Sequence, residues 1–316
     1  MKQRQGSIEL HPENGFHPGK GPGVVLGLVS VFLLAAALGA TPKDPRLQAV
    51  KTFAFALGDG MLDGDIAARF AGYDLVIVDG EDIQAAQVAA LHAQGTIVLS
   101  YLSAGTIENY RWWYSSVKRF RLDYWGDWGE WYADVSKSGY RDVIAGKVAP
   151  WMLKKGVDGL FLDNTDMIET HPGQRAGMKA LVKRLANLVH LKKKFLFTQN
   201  GADVIGPMLP FYDGWNREDV SWSYDFGNGQ YFQQSPGDIA AALAELQTIG
   251  AAGLLVTTAD YTEAGNAAAE SFCLSNACSV GAVPFVSDIE LTRMPAAPLM
   301  CGSKAAGPAT GMTGKE

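Results

Sequence analysis

The stretch that decides the fold is residues 157–166, Val-Asp-Gly-Leu-Phe-Leu-Asp-Asn-Thr-Asp. Its first half is a short apolar run that follows a glycine, a pattern typical of a buried strand. The run stops at Asp163, Asn164 and Asp166. In barrel and open-sheet enzymes, the carboxyl ends of buried parallel strands carry the catalytic groups. A single Asp at such a point is more commonly a helix cap, so the question is whether other strands end in the same way.

Short apolar strands alternate with longer amphipathic segments through the rest of the chain. The predicted strands are 52–57, 73–78, 96–102, 157–162, 195–198, 210–212, 254–258 and 283–286. The predicted helices are 66–70, 83–94, 136–154, 177–191, 238–249 and 267–280. Eight strands in βα alternation over about 250 residues predict a single-domain (β/α)₈ TIM barrel, which we place at residues 41–295. The alternative is a doubly wound open sheet. The first βα turn lacks the glycine fingerprint of dinucleotide binding, and no G-x-S-x-G nucleophile elbow is present.

Composition narrows the function further. The chain has 316 residues and a formal net charge of −6. Nucleic-acid binding is indicated by a basic surface, so we predict no nucleic-acid partner. The five histidines are scattered and no C-x-x-C motif is present, so we predict neither a metal ion nor another cofactor. Three cysteines are too few for a disulfide scaffold. Cys273 and Cys278 are close enough in sequence to pair in an oxidising compartment, which would leave Cys301 over.

The ends of the chain differ from its body. Residues 23–40, GVVLGLVSVFLLAAALGA, form an uncharged apolar run that ends in small residues. Residues 1–40 therefore resemble a secretory signal peptide. Because the run is close to the shortest length that spans a bilayer, a membrane anchor through residues 23–40 is the alternative. Either way we expect a secreted or extracytoplasmic protein. The Gly/Ala/Pro-rich tail, residues 296–316, is predicted to be disordered, and the oligomeric state is not predicted.

Two segments are rich in aromatic residues. They are residues 108–132 and 222–234, and neither shows a clean helical or strand period. The rings of the first segment are interleaved with Arg, Asp, Gly and Glu. Aromatic rings on loops beside polar groups can bind the apolar faces of sugar rings. The alternative interpretation is that these rings belong to the core.

Nearly every predicted strand ends in polar residues. These are Asp59, Asp79 with Glu81, Ser103, Asp163 with Asn164 and Asp166, Asn200, Asp213 with Glu218, Asp260 with Tyr261, and Asp288. In a barrel these ends meet at one mouth. Carboxylates beside aromatic loops fit glycoside hydrolysis, which needs one protonated and one ionised carboxyl group. Helix caps, solvated loop residues or a divalent-metal site are the alternatives, and capping is the favoured interpretation for Asp59 and Asp288.

Six motifs extend this picture over most of the chain. They are YDLVIVDGED at 73–82, VLSYLSAGTIENYR at 98–111, KGVDGLFLDNTD at 155–166, QNG at 199–201, YDGWNRED at 212–219 and TTADYT at 257–262. Together they resemble glycoside hydrolase family 114, the endo-α-1,4-polygalactosaminidase family, and the similarity runs from about Phe53 to Leu291. The resemblance implies a (β/α)₈ barrel and an extracellular enzyme. Such an enzyme cleaves within α-1,4-linked galactosamine polymers, including biofilm exopolysaccharides.

The resemblance also implies roles for individual residues. Asp163 matches the carboxylate after the fourth strand and is expected to be the nucleophile. Glu218 matches the carboxylate after the sixth strand and is expected to be the acid/base. The residues expected to line the sugar site are Asp79, Tyr101, Asn164, Asp166, Asn200, Asp260 and Tyr261. The chain departs from the family pattern at Asp219, where a small residue is expected. Arg217, on the other side, is positioned in sequence to hold Glu218 ionised, which would oppose an acid role.

Two other functions fit the same residues. One is a catalytically inactive carbohydrate-binding barrel, which the presence of both carboxyl groups disfavours. The other is a barrel glycosidase for another extracellular glycan, because neither the fold nor an acid pair fixes the sugar. For a polysaccharide substrate with free amino groups, Asp79, Glu81 and Asp166 are candidates to pair with the ammonium. The sequence does not decide between retention and inversion.

Overall fold

A computed structural model describes residues 42–302 of the chain. Thirteen strands lie in this part. They are β1 (Phe53–Ala56), β2 (Leu75–Asp79), β3 (Ile97–Ser103), β4 (Thr106–Ile107), β5 (Arg121–Trp125), β6 (Glu130–Ala133), β7 (Gly159–Asp163), β8 (Phe195–Gln199), β9 (Gly214–Glu218), β10 (Trp222–Asp225), β11 (Gln230–Gln233), β12 (Leu255–Tyr261) and β13 (Val283–Ser287). The predicted signal peptide or anchor at residues 1–40 lies outside the described residues.

Eight of these strands form one parallel sheet. Its order is β1-β2-β3-β7-β8-β9-β12-β13, and every pair along it is parallel. The two end strands, β1 and β13, lie side by side, with the rings of Phe53 and Phe285 5.6 Å apart. The sheet is therefore a nearly closed barrel, and the predicted (β/α)₈ fold is confirmed.

The helices connect the strands. They are α1 (Pro45–Gln48), α2 (Ile66–Arg69), α3 (Ala85–His92), α4 (Tyr114–Val117), α5 (Ser138–Val143), α6 (Ala149–Leu153), α7 (Arg175–His190), α8 (Pro236–Ala251) and α9 (Ala267–Ser279). The single helix predicted at 136–154 is wrong in one respect, because a π-helical turn, Ile144–Val148, separates α5 from α6. Within residues 42–302, no helix is both long and apolar enough to cross a membrane.

The barrel interior is filled by aromatic rings from alternate positions. Phe55 on β1 packs against Phe161 on β7 at 5.3 Å and against Phe285 on β13 at 6.0 Å. Because β1 and β7 are not neighbours in the sheet, the Phe55–Phe161 contact crosses the interior. Successive residues of a strand point to opposite faces. Asp163, two residues beyond Phe161, therefore also points inward at the carboxyl end of β7.

Three aspartates form hydrogen bonds between neighbouring strands at the N-terminal end of the barrel, opposite to its mouth. Asp74, Asp158 and Asp213 each precede a strand, and each accepts a backbone N–H from the neighbouring strand. The donors are Thr52 for Asp74, Val98 for Asp158 and Leu196 for Asp213, at 3.1, 2.9 and 2.8 Å. These carboxylates fix the strands side by side at the edge away from the mouth.

The sixth barrel strand differs from the prediction. Residues 206–211 form a 3₁₀ helix, and the strand is β9, Gly214–Glu218. Pro210 has no N–H to give to a sheet, which excludes its segment from a central strand. The prediction that Asp213 lies at the mouth is therefore wrong, because it precedes β9 and lies at the opposite edge.

The two aromatic segments are small antiparallel sheets rather than loops. After β3, the strands β4, β6 and β5 form a three-stranded sheet. After β9, β10 and β11 form a hairpin. Both insertions follow the carboxyl end of a barrel strand, so both rise from the edge that carries the barrel mouth.

The cysteines do not pair as the sequence spacing suggests. Cys278 at the end of α9 is bonded to Cys301, and Cys273 is a free, buried thiol. Cys273 and Cys278 are five residues apart on one helix, so they lie on different faces of it. The disulfide holds residues 296–302, the first part of the tail for which disorder is predicted. The rest of that tail, 303–316, lies outside the described residues.

Candidate active site

Asp163 and Glu218 lie at the same edge of the barrel. Asp163 ends β7 and Glu218 ends β9, with only β8 between these strands in the sheet. Glu218 has the same strand parity as Asn216, whose side chain bonds to Gln199 within the barrel. Both carboxyl groups therefore point inward, from two points separated by one strand.

Three donors converge on the Asp163 carboxyl group. The Tyr101 hydroxyl and Gln199 Nε2 each lie 2.6 Å from a carboxyl oxygen, and the Asn164 backbone N–H lies 2.7 Å from one. Burial raises the pKa of Asp163, and these three hydrogen bonds oppose the rise because they favour the ionised form. The three donors also fix the rotamer of the side chain, and they leave the carboxyl group oriented toward the mouth.

Glu218 has two donors and a different electrostatic environment. Asn200 Nδ2 donates to its Oε2 at 2.7 Å, and the Tyr261 hydroxyl donates to its Oε1. Burial, together with the negative charges of Asp163 and Asp219, raises the pKa of Glu218 to about 8. The group is therefore protonated at neutral pH, as a general acid must be.

The end of β8 connects the two carboxyl groups. Its last residue, Gln199, donates to Asp163, and the next residue, Asn200, donates to Glu218. Beneath them, Asn216 Nδ2 donates to Gln199 Oε1 at 3.2 Å, and the Thr257 hydroxyl donates to Asn216 Oδ1 at 2.8 Å. A chain of buried polar groups thus crosses four neighbouring strands and ends at Asp163. The sequence prediction did not assign Gln199 or Asn216 to the site, although both lie in motifs that carry the family resemblance, at 199–201 and 212–219.

The backbone turns in the same way after each of these three strands. Asn164, Asn200 and Asp219 have φ values of 56°, 55° and 57°. Asn and Asp are the side chains that best tolerate this left-handed conformation after glycine. Asp219, the departure from the family pattern, therefore occupies a position where Asp is sterically acceptable.

A network of hydroxyl groups supports Asn164. Its Nδ2 lies 3.1 Å from Ser103 Oγ and 3.2 Å from Thr106 Oγ1, and the Thr106 hydroxyl donates to Glu130 Oε2 at 2.5 Å. Burial and the charge of Glu108 raise the pKa of Glu130 to about 8. Glu130 is a third carboxyl group beside Asp163, and it comes from the inserted strand β6. The sequence prediction missed it because β6 was interpreted as a loop.

Asp79 is held by an arginine. Arg111 Nη1 donates to both oxygens of Asp79 at 2.8 Å, and its Nε donates to Glu108 at 2.7 Å. Arg111 and Glu108 are both buried. Asp79 lies at the mouth, where both of its oxygens are bonded to Arg111, so it is less available to a ligand than the sequence suggests.

Asp166 lies near enough to Asp163 to be affected by its charge. Burial and the charge of Asp163 raise its pKa to about 7. The Cβ of Asp166 lies only 2.7 Å from the position that a Cβ on Gly201 would occupy, so the two loops after β7 and β8 are in close contact here. Across residues 42–302, no group of three His, Cys, Asp or Glu side chains is arranged to hold a metal ion.

Asp260 and Tyr261 do not share a role, although both are predicted to line the sugar site. They are consecutive residues of β12 and point to opposite faces. Tyr261 reaches Glu218 inside the barrel, whereas the buried Asp260 accepts the backbone N–H groups of Ser221 and Trp222 at 2.6 and 3.0 Å. Asp260 is turned away from the barrel interior and anchors the base of the β10–β11 hairpin, so the structure does not bring it together with Tyr261, and its role in lining the sugar site stays a prediction.

Arg217 does not hold the Glu218 carboxyl group, contrary to the expectation from sequence. Its Nε donates to Glu245 on α8 at 3.1 Å, and its Nη1 donates to the backbone oxygen of Glu218 at 2.9 Å. Arg217 and Glu218 are successive residues of β9, so their side chains leave the sheet on opposite faces. The cation therefore does not oppose an acid role for Glu218.

Comparison with known proteins gives one family and several similar folds. The model of the glycoside-hydrolase family GH114 matches residues 35–305. The glycoside hydrolase domain of PelA from Pseudomonas aeruginosa is 21% identical with a TM-score of 0.64, over 78% of this chain and 96% of that one. Ega3 from Aspergillus fumigatus, solved in complex with galactosamine, is 18% identical with a TM-score of 0.60, over 82% and 97% of the two chains.

A more distant barrel extends the similarity. The alpha-galactosidase TtGalA from Thermus thermophilus, solved with p-nitrophenyl alpha-D-galactopyranoside, is 12% identical with a TM-score of 0.51, over 76% of this chain and 57% of that one. At these identities the solved structures support the barrel fold alone. No curated protein sequence matches the chain.

Proposed function

The chain belongs to glycoside-hydrolase family GH114 and is therefore a glycoside hydrolase; from that premise we propose that it cleaves within α-1,4-linked galactosamine polysaccharides. In this proposal Asp163 is the nucleophile and Glu218 is the acid/base. One observation carries the assignment: consecutive residues at the end of β8, Gln199 and Asn200, each donate to one of these two carboxyl groups. A glycosidic bond placed between the two carboxyl groups would have the nucleophile on one side and the acid on the other.

The electrostatics of the two groups support different roles. Three donors favour an ionised Asp163, which would attack the anomeric carbon. Glu218, with its pKa raised to about 8, would give its proton to the leaving oxygen and then act as base toward water. Tyr261 can keep its hydrogen bond to Glu218 when Glu218 loses or regains its proton, because a phenol hydroxyl both donates and accepts hydrogen bonds.

The charge of the mouth supports an amino-sugar substrate. Asp163, Glu218, Asp166 and Glu130 gather there, while the neighbouring Arg111 is occupied by Asp79 and Glu108. An ammonium group would pair with the ionised members of this group, of which Asp163 is the one that three donors favour as a carboxylate, and would offset the repulsion that raises the pKa of the others. Ega3, one of the structurally similar barrels, was solved with galactosamine, an amino sugar of the class that we propose here.

The disulfide supports an extracytoplasmic location. Structural disulfides persist in oxidising compartments and are rare in the cytosol. The Cys278–Cys301 bond therefore agrees with the secretory interpretation of residues 1–40, and we propose that the enzyme acts outside the cytoplasm, secreted or anchored.

The test is hydrolysis of a partly deacetylated galactosaminogalactan, with products sized by mass spectrometry. We expect internal cleavage by the native enzyme and a loss of at least about 10²-fold in rate for Asp163→Asn and for Glu218→Gln. Glu263→Gln is the matched control, because Glu263 is an exposed carboxylate two residues beyond Tyr261, and it should retain full activity. Full activity of either site variant would refute the assignment. Polymer binding without new reducing ends would indicate an inactive binding barrel, and cleavage of another glycan alone would refute the substrate.

A further inference from the structure

A row of aromatic rings begins in the loop after β7 and continues along the first insertion, the sheet of β4, β6 and β5. The ring of His171 lies 4.5 Å from that of Tyr132, and Tyr132 stacks on Trp125 at 5.5 Å with the planes 9° apart. Trp125 in turn contacts Trp128 at 6.5 Å. His171 is also tied to this insertion through Asp123, 2.9 Å from its Nε2.

The row continues without interruption onto the second insertion. Trp128, at the tip of the β5–β6 hairpin, lies 5.3 Å from Phe226 at the tip of the β10–β11 hairpin. Phe226 contacts Tyr224 at 5.1 Å, and Tyr224 contacts Tyr231 at 4.9 Å. The Tyr231 hydroxyl accepts the backbone N–H of Ile289 at 3.1 Å, in the loop after β13. We call these seven side chains the aromatic row.

The ends of the aromatic row mark its position on the barrel. It starts after β7, and its last ring, Tyr231 on β11, contacts the loop after β13; the strands β7 and β13 are four places apart in the ring of eight. They are therefore on opposite sides of the mouth. The β8, β9 and β12 strands, which carry Asn200, Glu218 and Tyr261, lie between them. The row consequently connects two opposite points of the rim and borders the carboxyl pair.

The exposure of the rings argues against a purely structural role. None of the seven is buried, and the two tip residues, Trp128 and Phe226, are 43% and 44% exposed. The other five rings are half-buried, and a contiguous aromatic patch that reaches the solvent is typical of a binding site. Rings of this kind present a flat apolar face, which suits the apolar face of a sugar. The tips also carry acidic neighbours, Asp127 beside Trp128 and Asp225 beside Phe226, whose charge is complementary to that of a polymer with ammonium groups.

We propose that the aromatic row is an extended binding surface for the polysaccharide chain, along which sugars remote from the scissile bond are held. The choice of an amino-sugar polymer as its occupant rests on the proposed function. The surface is formed by His171 and by two insertions whose tips are in contact, so each hairpin supplies part of the same binding surface. It would favour long chains over short ones, since more sugars would then contact the rings.

The experiment measures binding rather than hydrolysis. The full chain carrying Asp163→Asn is titrated with partly deacetylated galactosamine polymer, with chitosan and with a neutral galactan, and Kd is measured by calorimetry. Trp128→Ala and Phe226→Ala, which lie on different hairpins, should each weaken polymer binding by about tenfold, the loss of one ring contact. The loss should be smaller for a trisaccharide. Trp128→Tyr, which keeps a ring, should restore most of the affinity and also controls for folding.

Matched controls lie on the same two hairpins. Phe232 on β11 is 42% exposed and Tyr124 on β5 is 56% exposed, and neither belongs to the aromatic row. Phe232→Ala and Tyr124→Ala should change Kd by less than twofold. Unchanged polymer affinity in both tip variants, equal losses in the controls, or no binding of any glycan would overturn the proposal. If only chitosan or galactan binds, and the tip variants weaken it, the binding surface stands while the galactosamine part of the proposed function falls.

Discussion

Asn200 combines two requirements in one residue. It holds a left-handed backbone with φ of 55°, and its side chain connects Glu218 to β8: Nδ2 donates to the carboxyl group and Oδ1 accepts the Glu218 backbone N–H at 3.1 Å. Glycine would satisfy only the backbone requirement, and aspartate would keep the backbone and the acceptor but lose the donor to Glu218. The residue is therefore a positioning group whose two contributions can be separated by mutation.

The first prediction follows from that separation. Asn200→Ala and Asn200→Gly both remove the donor to Glu218, so both should lower kcat by a similar factor. Only Asn200→Ala also places a Cβ in the left-handed region, and it should be less stable than Asn200→Gly by about 1 kcal/mol. Thermal unfolding and steady-state kinetics measure the two effects. Equal stability of the two variants would contradict the backbone argument.

The second prediction concerns pH. Glu218 must be protonated to act as an acid, and its pKa is raised to about 8, so kcat/KM should be retained below about pH 8 and lost above it. The negative charge of Asp219 contributes to that rise. Removing it in Asp219→Asn makes ionisation of Glu218 easier, and the alkaline limb should move to lower pH. An alkaline limb that stays in place would mean that another group controls it.

Much of the site could be predicted from the sequence, but the direction in which each side chain points could not. Asp163 and Glu218 stand out because carboxylates end predicted strands, and their catalytic roles stay predictions. Asp260 and Tyr261 looked equivalent because both follow an apolar run. The period of two along a strand sends only Tyr261 to the mouth, and the strand has to be located to the residue before that can be used.

At the scale of elements, the loop after β3 is fitted closely against the loop after β7. A Cβ on Gly105 would lie 1.8 Å from the Asn164 backbone oxygen, in the same segment as the Ser103–Thr106–Asn164 hydroxyl network. Only glycine allows this approach. The two loops can therefore be regarded as one unit that holds the end of β7.

The third prediction tests that close approach. Gly105→Ala should destabilise the fold by about 1–3 kcal/mol, since the two loops must separate, and activity should fall because Asn164 moves. Gly126→Ala is the control, because nothing lies within 4 Å of its added Cβ. Differential scanning calorimetry compares the two. Similar melting temperatures would show that the loop after β7 yields without cost.

Elements rich in apolar residues were predicted well, whereas polar strands were missed. β9 reads Gly-Trp-Asn-Arg-Glu, with neither an apolar run nor a regular alternation, because its inward residues belong to the buried polar chain beneath Asp163. The β10–β11 hairpin was missed for another reason. Its rings contact rings of the other insertion, so its aromatic residues do not follow the pattern of a strand on a hydrophobic core.

At the scale of the whole molecule, the Cys278–Cys301 disulfide closes a segment that includes β13. The sequence separation of 23 residues corresponds to about 3 kcal/mol of stabilisation. The sequence could not give this pairing, because three cysteines allow three single bonds. Proximity along the chain favoured a bond between Cys273 and Cys278, but these residues lie on different faces of α9.

The fourth prediction is that Cys278→Ser and Cys301→Ser lower the melting temperature equally, by roughly 6–12 °C, as reduction of the native protein also does. Cys273→Ser is the control that leaves the bond intact, so reduction should still lower its melting temperature. Unequal effects of the first two variants, or a protein insensitive to reductant, would contradict the assigned bond.

The aspartate hydrogen bonds at the N-terminal strand ends have a practical consequence. Asp74, Asp158 and Asp213 hold the strands at the edge opposite to the carboxyl pair, so these contacts between strands are remote from the binding surface that we propose. A library that randomises only the two hairpin tips would leave the determinants of folding untouched. Such a library offers a direct route to variants of this scaffold with altered glycan preference.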